Sequence, residues 1–197
     1  MTICIQLLQQ QHPAENPAYE DILYAIGTLA GCASFTEPTN LVLDTFFQVY
    51  VGTLMPFIYA ALEAQDQPQL LSAALGVLSD VIRAIGEQIA PHCDQIVRYL
   101  FTDVESNTVS RMVKPAILAV FGEIALAIGA AFEGYLPVVM QLLQQAATLG
   151  SGTREQPGAF EMLDYIDSLN EGILEAYSGV ILGLKAAGKG MSALQYS

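Results

Sequence analysis

The sequence predicts an all-α fold of about four stacked helix pairs, and three observations carry that expectation. Apolar residues recur at i, i+3, i+4 and i+7 along most of the 197 residues, and no run shows the alternation or turn pairs of a strand. Prolines stand where helices would begin and glycines where they would end. One stretch also repeats at a fixed offset of 43 residues.

In chain order, Thr2–Gln11 is a short helix that ends in a glutamine run before His12-Pro13. Pro17 opens a second helix, with Ile22, Ala25, Ile26, Leu29 and Ala33 as its apolar positions, and Thr36–Thr39 breaks the chain at Pro38. Thr45–Ala64 is a third helix, expected to bend near Pro56, where a ring replaces a backbone donor. Pro68 begins a fourth that runs to Gly86, Pro91–Asp103 is a short fifth, and Ser106-Asn107 turns into the next. Arg111–Phe132 is the most regular element, with Val113, Ile117, Val120, Phe121, Ile124 and Ile128 on one face. Its Pro115 suits a first turn, and Gly129 suits a left-handed C-cap. Phe132–Leu149, a Gly/Ser/Pro loop at Gly150–Gly158, a long helix through Lys185 and a breaker at Gly188–Gly190 complete the series.

A stripe as wide as that of Arg111–Phe132 cannot be buried by one helix, and the repeat supplies its partners. Shifting by 43 residues lays Leu75–Gly86 on Leu118–Gly129, where Ala-Ile-Gly is identical and Asp80 meets Glu123. The same shift carries Ile89, Ile96, Tyr99 and Leu100 onto Phe132, Val139, Leu142 and Leu143. A shift of 42 brings Phe47, Leu54, Phe57 and Ile58 onto Ile89, Ile96, Tyr99 and Leu100. The outer copies fit with insertions, Leu29 lying 49 residues before Leu78 and Glu175 lying 52 after Glu123. Two helices per period near 43 fall in the HEAT/armadillo range. The expected repeats are 1–35, 40–87, 89–129 and 132–187, one array over 1–197, with 188–197 a tail or the start of another repeat. Gly27, Gly76, Ala119 and Gly122 would let second helices approach closely, and ends without polar caps suggest a piece of a longer solenoid.

The formal charge of −13, from 20 acidic and 7 basic side chains, argues against nucleic acid or an anionic membrane as main partner. It suits a basic partner or simple solvation. Mean hydropathy is high at +0.42. The uncharged stretches Thr45–Leu62 and Gly134–Thr153 are interrupted by Pro, Gly and Gln, short of the about 20 apolar residues a span wants, so no membrane insertion is expected. Cys4, Cys32 and Cys93 form no CxxC pair and read as reduced, mostly buried thiols of an intracellular protein, with no signal peptide ahead of them.

No catalytic centre, metal site or cofactor is expected. His92-Cys93-Asp94 lacks a second histidine or cysteine group. Gly188-Lys189-Gly190-Met191-Ser192 lacks the spacing and preceding strand of a phosphate loop. The pairs Asp164/Asp167 and Glu171/Glu175 lie on neighbouring turns of one helix, where a solvated acidic face is the simplest reading.

Particular stretches go beyond periodicity. Val113–Gly129 (VKPAILAVFGEIALAIG), Gln144-Gln145-Ala146, Leu174–Gly179 (LEAYSG) and Gly183-Leu184-Lys185, with Met162–Tyr165 and Pro91–Asp94, resemble the importin β (karyopherin β1) family of HEAT-repeat nuclear transport receptors. The resemblance runs over almost the whole chain and points to that family's C-terminal half. It implies an α-α superhelix with first helices on a convex face and second helices on a concave one. It implies that Asp80, Glu123, Asp164 and Glu175, which match family acids, meet the basic importin-β-binding segment of importin α or a basic cargo. Glu123, with Arg111 or Lys114, would be what Arg111–Phe132 leaves for recognition. The resemblance further implies first-helix grooves for nucleoporin Phe-Gly motifs. Leu54, Phe57, Ile58, Ile96, Tyr99, Leu100, Val139 and Leu142 lie on those helices, most as core and a minority as groove. Ran-GTP would be met through the full-length receptor, with location in cytoplasm, nucleus and the nuclear pore. The Thr36–Asp44 linker and Gly150–Gly158 loop depart from the family, so nothing is carried onto them. The alternative function is a HEAT-repeat scaffold subunit that binds one fixed partner.

Overall fold

The computed structural model describes residues 1–9, 13, 16, 18–34, 41–151, 160–186 and 188, with side chains outside 32–48, 149–151 and 160–161. Eight α-helices appear among them: α1 (Thr2–Leu8), α2 (Tyr19–Ser34), α3 (Leu41–Leu62), α4 (Pro68–Ile85), α5 (Cys93–Glu105), α6 (Lys114–Ile128), α7 (Leu136–Ser151) and α8 (Phe160–Ala186). Short 3-10 segments, Gly86–His92 and Gly129–Gly134, follow α4 and α6. There is no strand among the described residues, and the fold is all-α as the periodicity requires. The chain divides into two compact units, Met1–Ser110 and Arg111–Ser197. The third expected repeat has its first helix in one and its second in the other.

In the first unit α2 lies along α4, α3 packs against α4, and α5 meets α3. Leu23 and Ile26 of α2, Leu54 and Ile58 of α3, Leu78 and Val81 of α4, and Ile96 and Leu100 of α5 are fully buried. Each contributes about 1.5–3 kcal/mol before entropy is subtracted. Tyr19 anchors the start of α2, its hydroxyl donating to the Phe57 carbonyl at 3.1 Å, and burial pushes its phenol up to about 12.

In the second unit α6 lies close along α8, with α7 beside them. The expected stripe of α6 is in place, since Val113, Ile117, Val120, Phe121, Ile124 and Ile128 are all buried. The close approach rests on glycine. A Cβ on Gly122 would lie 2.8 Å from the Glu175 carbonyl oxygen, and one on Gly179 would collide with the backbone of Gly122. At Gly27 of α2 a Cβ would sit 2.9 Å from Asp80 Oδ2 and 3.3 Å from Val77 Cγ2 of α4, side-chain contacts rather than backbone ones. Gly76, also expected at a close approach, has open space around it.

Gly86 and Gly129 have φ of 55° and 51°, a region L side chains rarely adopt. Their ψ values of −130° and −119° differ from a left-handed cap, so the chain turns sharply at the glycine and passes directly into a 3-10 segment. The two sites sit at corresponding positions of the offset, so the repeat is one of backbone conformation as well as sequence.

Several boundaries differ from expectation for local reasons. α6 begins at Lys114, with Pro115 in its first turn, and Arg111–Val113 forms a turn. α5 begins at Cys93 because Pro91 belongs to the 3-10 segment. α3 begins at Leu41 and continues through Pro56, whose ring is exposed. α7 runs to Ser151, into the expected loop. His12, the break at Thr36–Thr39, most of the Gly150–Gly158 loop and everything beyond Gly188 lie outside the described residues. Parts of Thr45–Leu62 and Gly134–Thr153 lie outside the residues whose side chains are described. Among the described residues, the helical segments long and apolar enough to cross a membrane are Pro68–Glu105 and Lys114–Gly134. Their most apolar windows are 56% buried inside the protein, which is how core helices behave.

Candidate functional site: the acidic face of helix α8

α8 buries one face and presents the other. Ile166, Leu169, Ile173, Ala176, Val180 and Leu184 point into the unit. On the opposite side Asp164, Asp167, Ser168, Asn170, Glu171, Leu174, Glu175 and Ser178 line an open groove of about 730 Å³. Successive spacings of three and four residues put these side chains in one stripe along about four turns. The four carboxylates are exposed, and Leu174, 64% exposed, lies among them. Leu163, Ile181 and Leu182 extend the apolar component to either end. The face can attract a cationic segment and also bury an apolar side chain of it.

The four acids carried over from sequence are therefore unlike one another. Asp164 and Glu175 share the α8 groove with Asp167 and Glu171, noted in the sequence only as paired carboxylates. Their register on one face is legible from the 3.6-residue period, whereas Leu174 stood out in the sequence only as part of Leu174–Gly179. Glu123 is half-buried on α6 next to Gly122, and both it and Lys114 have interactions within the chain. Arg111 lies 5.7 Å from the centroid of the Tyr165 ring. Each of those three side chains thus has a contact within the chain, with Arg111 exposed and Glu123 and Lys114 half-buried. Asp80 is on α4, where its Oδ1 accepts from Arg83 Nη2 at 3.1 Å and its Oδ2 overhangs Gly27. Burial raises its carboxyl and Arg83 partly offsets that.

The first-helix candidates sort cleanly by burial. Leu54, Ile58, Ile96, Leu100 and Val139 are fully buried and Leu142 nearly so, as core. Phe57 and Tyr99 are half-exposed. Tyr99 lies across the seam between α3 and α5, its ring stacked on Tyr59 at 5.4 Å and 21°. Its hydroxyl donates to Glu63 Oε1 at 2.7 Å, and that bond, with burial second, raises its phenol. Tyr59 Oη lies 3.3 Å from His92 Nδ1, and burial above all pushes its phenol up to about 12.

Sequence reasoning missed Asp103. It continues the buried stripe Cys93, Ile96, Val97, Leu100 of α5 and is 1% exposed. Its Oδ1 accepts from Gln65 Nε2 at 2.7 Å, while Oδ2 has no partner. Ser106 Oγ donates to Gln65 Oε1 at 2.8 Å and accepts from the Thr108 amide at 3.1 Å. This chain of bonds ties the α3–α4 turn to the end of α5. Desolvation lifts the carboxyl to about 6 against the pull of Gln65.

His92, Cys93 and Asp94 do not form a centre: His92 faces Tyr59, and buried Cys93 donates to the Ile89 carbonyl at 3.6 Å. No group of three His, Cys, Asp or Glu side chains that could hold a metal occurs among the described residues.

Paired helices with glycine-mediated second-helix contacts, a repeated helix-end glycine and an acidic outer face define a HEAT-repeat protein. The importin subunit beta-1-like family model, described with TPR repeats, matches residues 1–196. The chain is 42% identical over 181 residues to importin subunit beta-1 of Schizosaccharomyces pombe, covering 91% of this chain and 19% of that one. It is 38% identical over 172 residues to the Arabidopsis thaliana protein, covering 87% and 18%. A crystal structure of importin beta superimposes with a TM-score of 0.85 at 38% identity, over 99% of this chain and 21% of that chain. The Kap95:Nup1 complex gives 0.76 at 31% identity, over 91% and 19%. A structure of Kap95p with RanGDP gives 0.79 at 31%, over 100% and 21%. This chain belongs to the importin β-1 family and spans about a fifth of the length of the relatives it matches.

Proposed function

We propose that this chain is a segment of a nuclear import receptor, a binding module rather than an enzyme. Its expected repeats form one array, its second helices take a basic segment of importin α or of cargo, and its first-helix seams take nucleoporin Phe-Gly repeats. Ran-GTP engages the full-length receptor, which moves between cytoplasm and nucleus through the pore. The observation that carries this reading is the α8 face, where Asp164, Asp167, Glu171 and Glu175 surround an exposed Leu174. Such a face suits a basic amphipathic helix in its charge and its exposed apolar side chain, whereas a net charge of −13 opposes nucleic acid and anionic lipid. Family membership supports it, as do the relatives solved with Nup1 and with Ran.

Each exposed ion pair adds only about 0–1 kcal/mol, so affinity accumulates over several. Titration of a basic amphipathic peptide into the full chain is expected to give binding that weakens with salt. Replacing Asp164, Asp167, Glu171 and Glu175 together by their amides should weaken it about tenfold or more. An unchanged affinity would remove α8 from the site. A scaffold with one fixed partner would ignore the peptide altogether. Immobilised Phe-Gly peptide should retain the chain while a Ser-Gly version does not, and equal retention would sink the second part.

A further inference from the structure

We propose that the α3/α5 seam is held closed by an internal aromatic side chain, Tyr99, latched by Glu63, and that a Phe-Gly ring enters only by displacing it. This deepens the proposed function and rests on it. The seam floor is made by Leu54 and Ile58 of α3 and by Ile96 and Leu100 of α5, all fully buried. Above that floor the Tyr99 ring covers Tyr59 in a stacked arrangement, which is how an incoming phenyl ring would use the same surface. A charged acceptor holds the ring there, Glu63 Oε1 at 2.7 Å from the Tyr99 hydroxyl. Tyr59 is fixed from the other side by His92, so the platform stays when Tyr99 leaves. Tyr99 and Glu63 lie at the surface, the one half-exposed and the other exposed, so the latch can swing out without unpacking the core.

The exchange sets the specificity of this seam. A ligand ring gains the Tyr59 platform but loses the Tyr99 stack and its hydrogen bond. Tyr99→Ala should therefore tighten a Phe-Gly peptide about threefold to tenfold, the equivalent of one aromatic pair. Glu63→Gln, a milder surface change that preserves the fold, should tighten it about twofold. Nitration gives a second readout, because trypsin releases Tyr99 in the segment Tyr99–Arg111, which contains no other tyrosine. Saturating Phe-Gly peptide should increase nitration of Tyr99 on the wild-type chain, whereas Ser-Gly peptide should leave it unchanged. If the wild-type chain binds Phe-Gly peptide and both variants bind equally or more weakly, or Tyr99 becomes protected, the latch is wrong and Tyr99 is at most a contact. If neither the wild type nor either variant binds, the Phe-Gly reading itself falls, and the latch with it.

Discussion

Asp103→Asn should abolish a pH dependence of stability that the parent chain carries. The carboxyl is 1% exposed, Oδ1 is bonded to Gln65 and Oδ2 to nothing. Desolvation raises it from 3.8 to about 6. The folded chain therefore binds this proton more tightly than the unfolded chain. Between pH about 6 and about 4 folding takes up a proton, so the contribution is complete below pH 4 and is lost as pH rises through 6. A shift of about two units corresponds to about 3 kcal/mol, the most this site can supply across that window. Asparagine keeps the shape and the acceptor for Gln65 but cannot titrate. Urea unfolding of parent and variant from pH 4 to 8, followed by far-UV circular dichroism, isolates the site because other acids cancel in the difference. The variant should lose stability relative to the parent as pH falls. Parallel curves, or a difference of opposite sign, would refute a buried carboxylate with raised affinity for its proton.

Three further outcomes follow from the packing. Gly179→Ala sets a methyl against the Gly122 backbone and should cost about 2–3 kcal/mol, whereas Gly76→Ala, in open space on α4, should gain about 0.5–1 kcal/mol, both read from thermal melts. Ile58→Ala empties a fully buried position and should cost about 2–5 kcal/mol, against under about 1.5 kcal/mol for half-exposed Phe57→Ala, which denaturant titration would compare. Cys93 is fully buried and its thiol is pushed up to about 11, chiefly by burial and then by Asp94. A thiol reagent should label it only after unfolding and label partly exposed Cys4 in the native chain.

Much of the fold was legible in one dimension. The α6 stripe is buried at every position expected, and Gly86 and Gly129 end their helices at matching places in the repeat. Those features depend on neighbours within a turn or two, which the local order of residues specifies. The importin β resemblance was legible for a different reason, since it rests on particular residues such as those of Val113–Gly129.

What passes between helices was decided by the tertiary structure. Leu54 and Phe57 share a helix, yet one is fully buried and the other reaches the surface, a difference set by where the neighbouring helices lie. Asp80 and Glu123 correspond in the repeat, but Asp80 is paired with Arg83 above Gly27, whereas the residue before Glu123, Gly122, is the one that meets the α8 backbone. Leu174 lies about 100° round the helix from the buried stripe through Ile166, Ile173 and Val180, and the placement of α8 leaves it open among four carboxylates. Asp103 obeys the stripe and is buried despite its charge, because Gln65 arrives from a turn 38 residues away. Periodicity determines which faces exist along each helix. Only the lateral packing of one helix on the next determines which of those faces meet water, and hence which side chains are left for a partner.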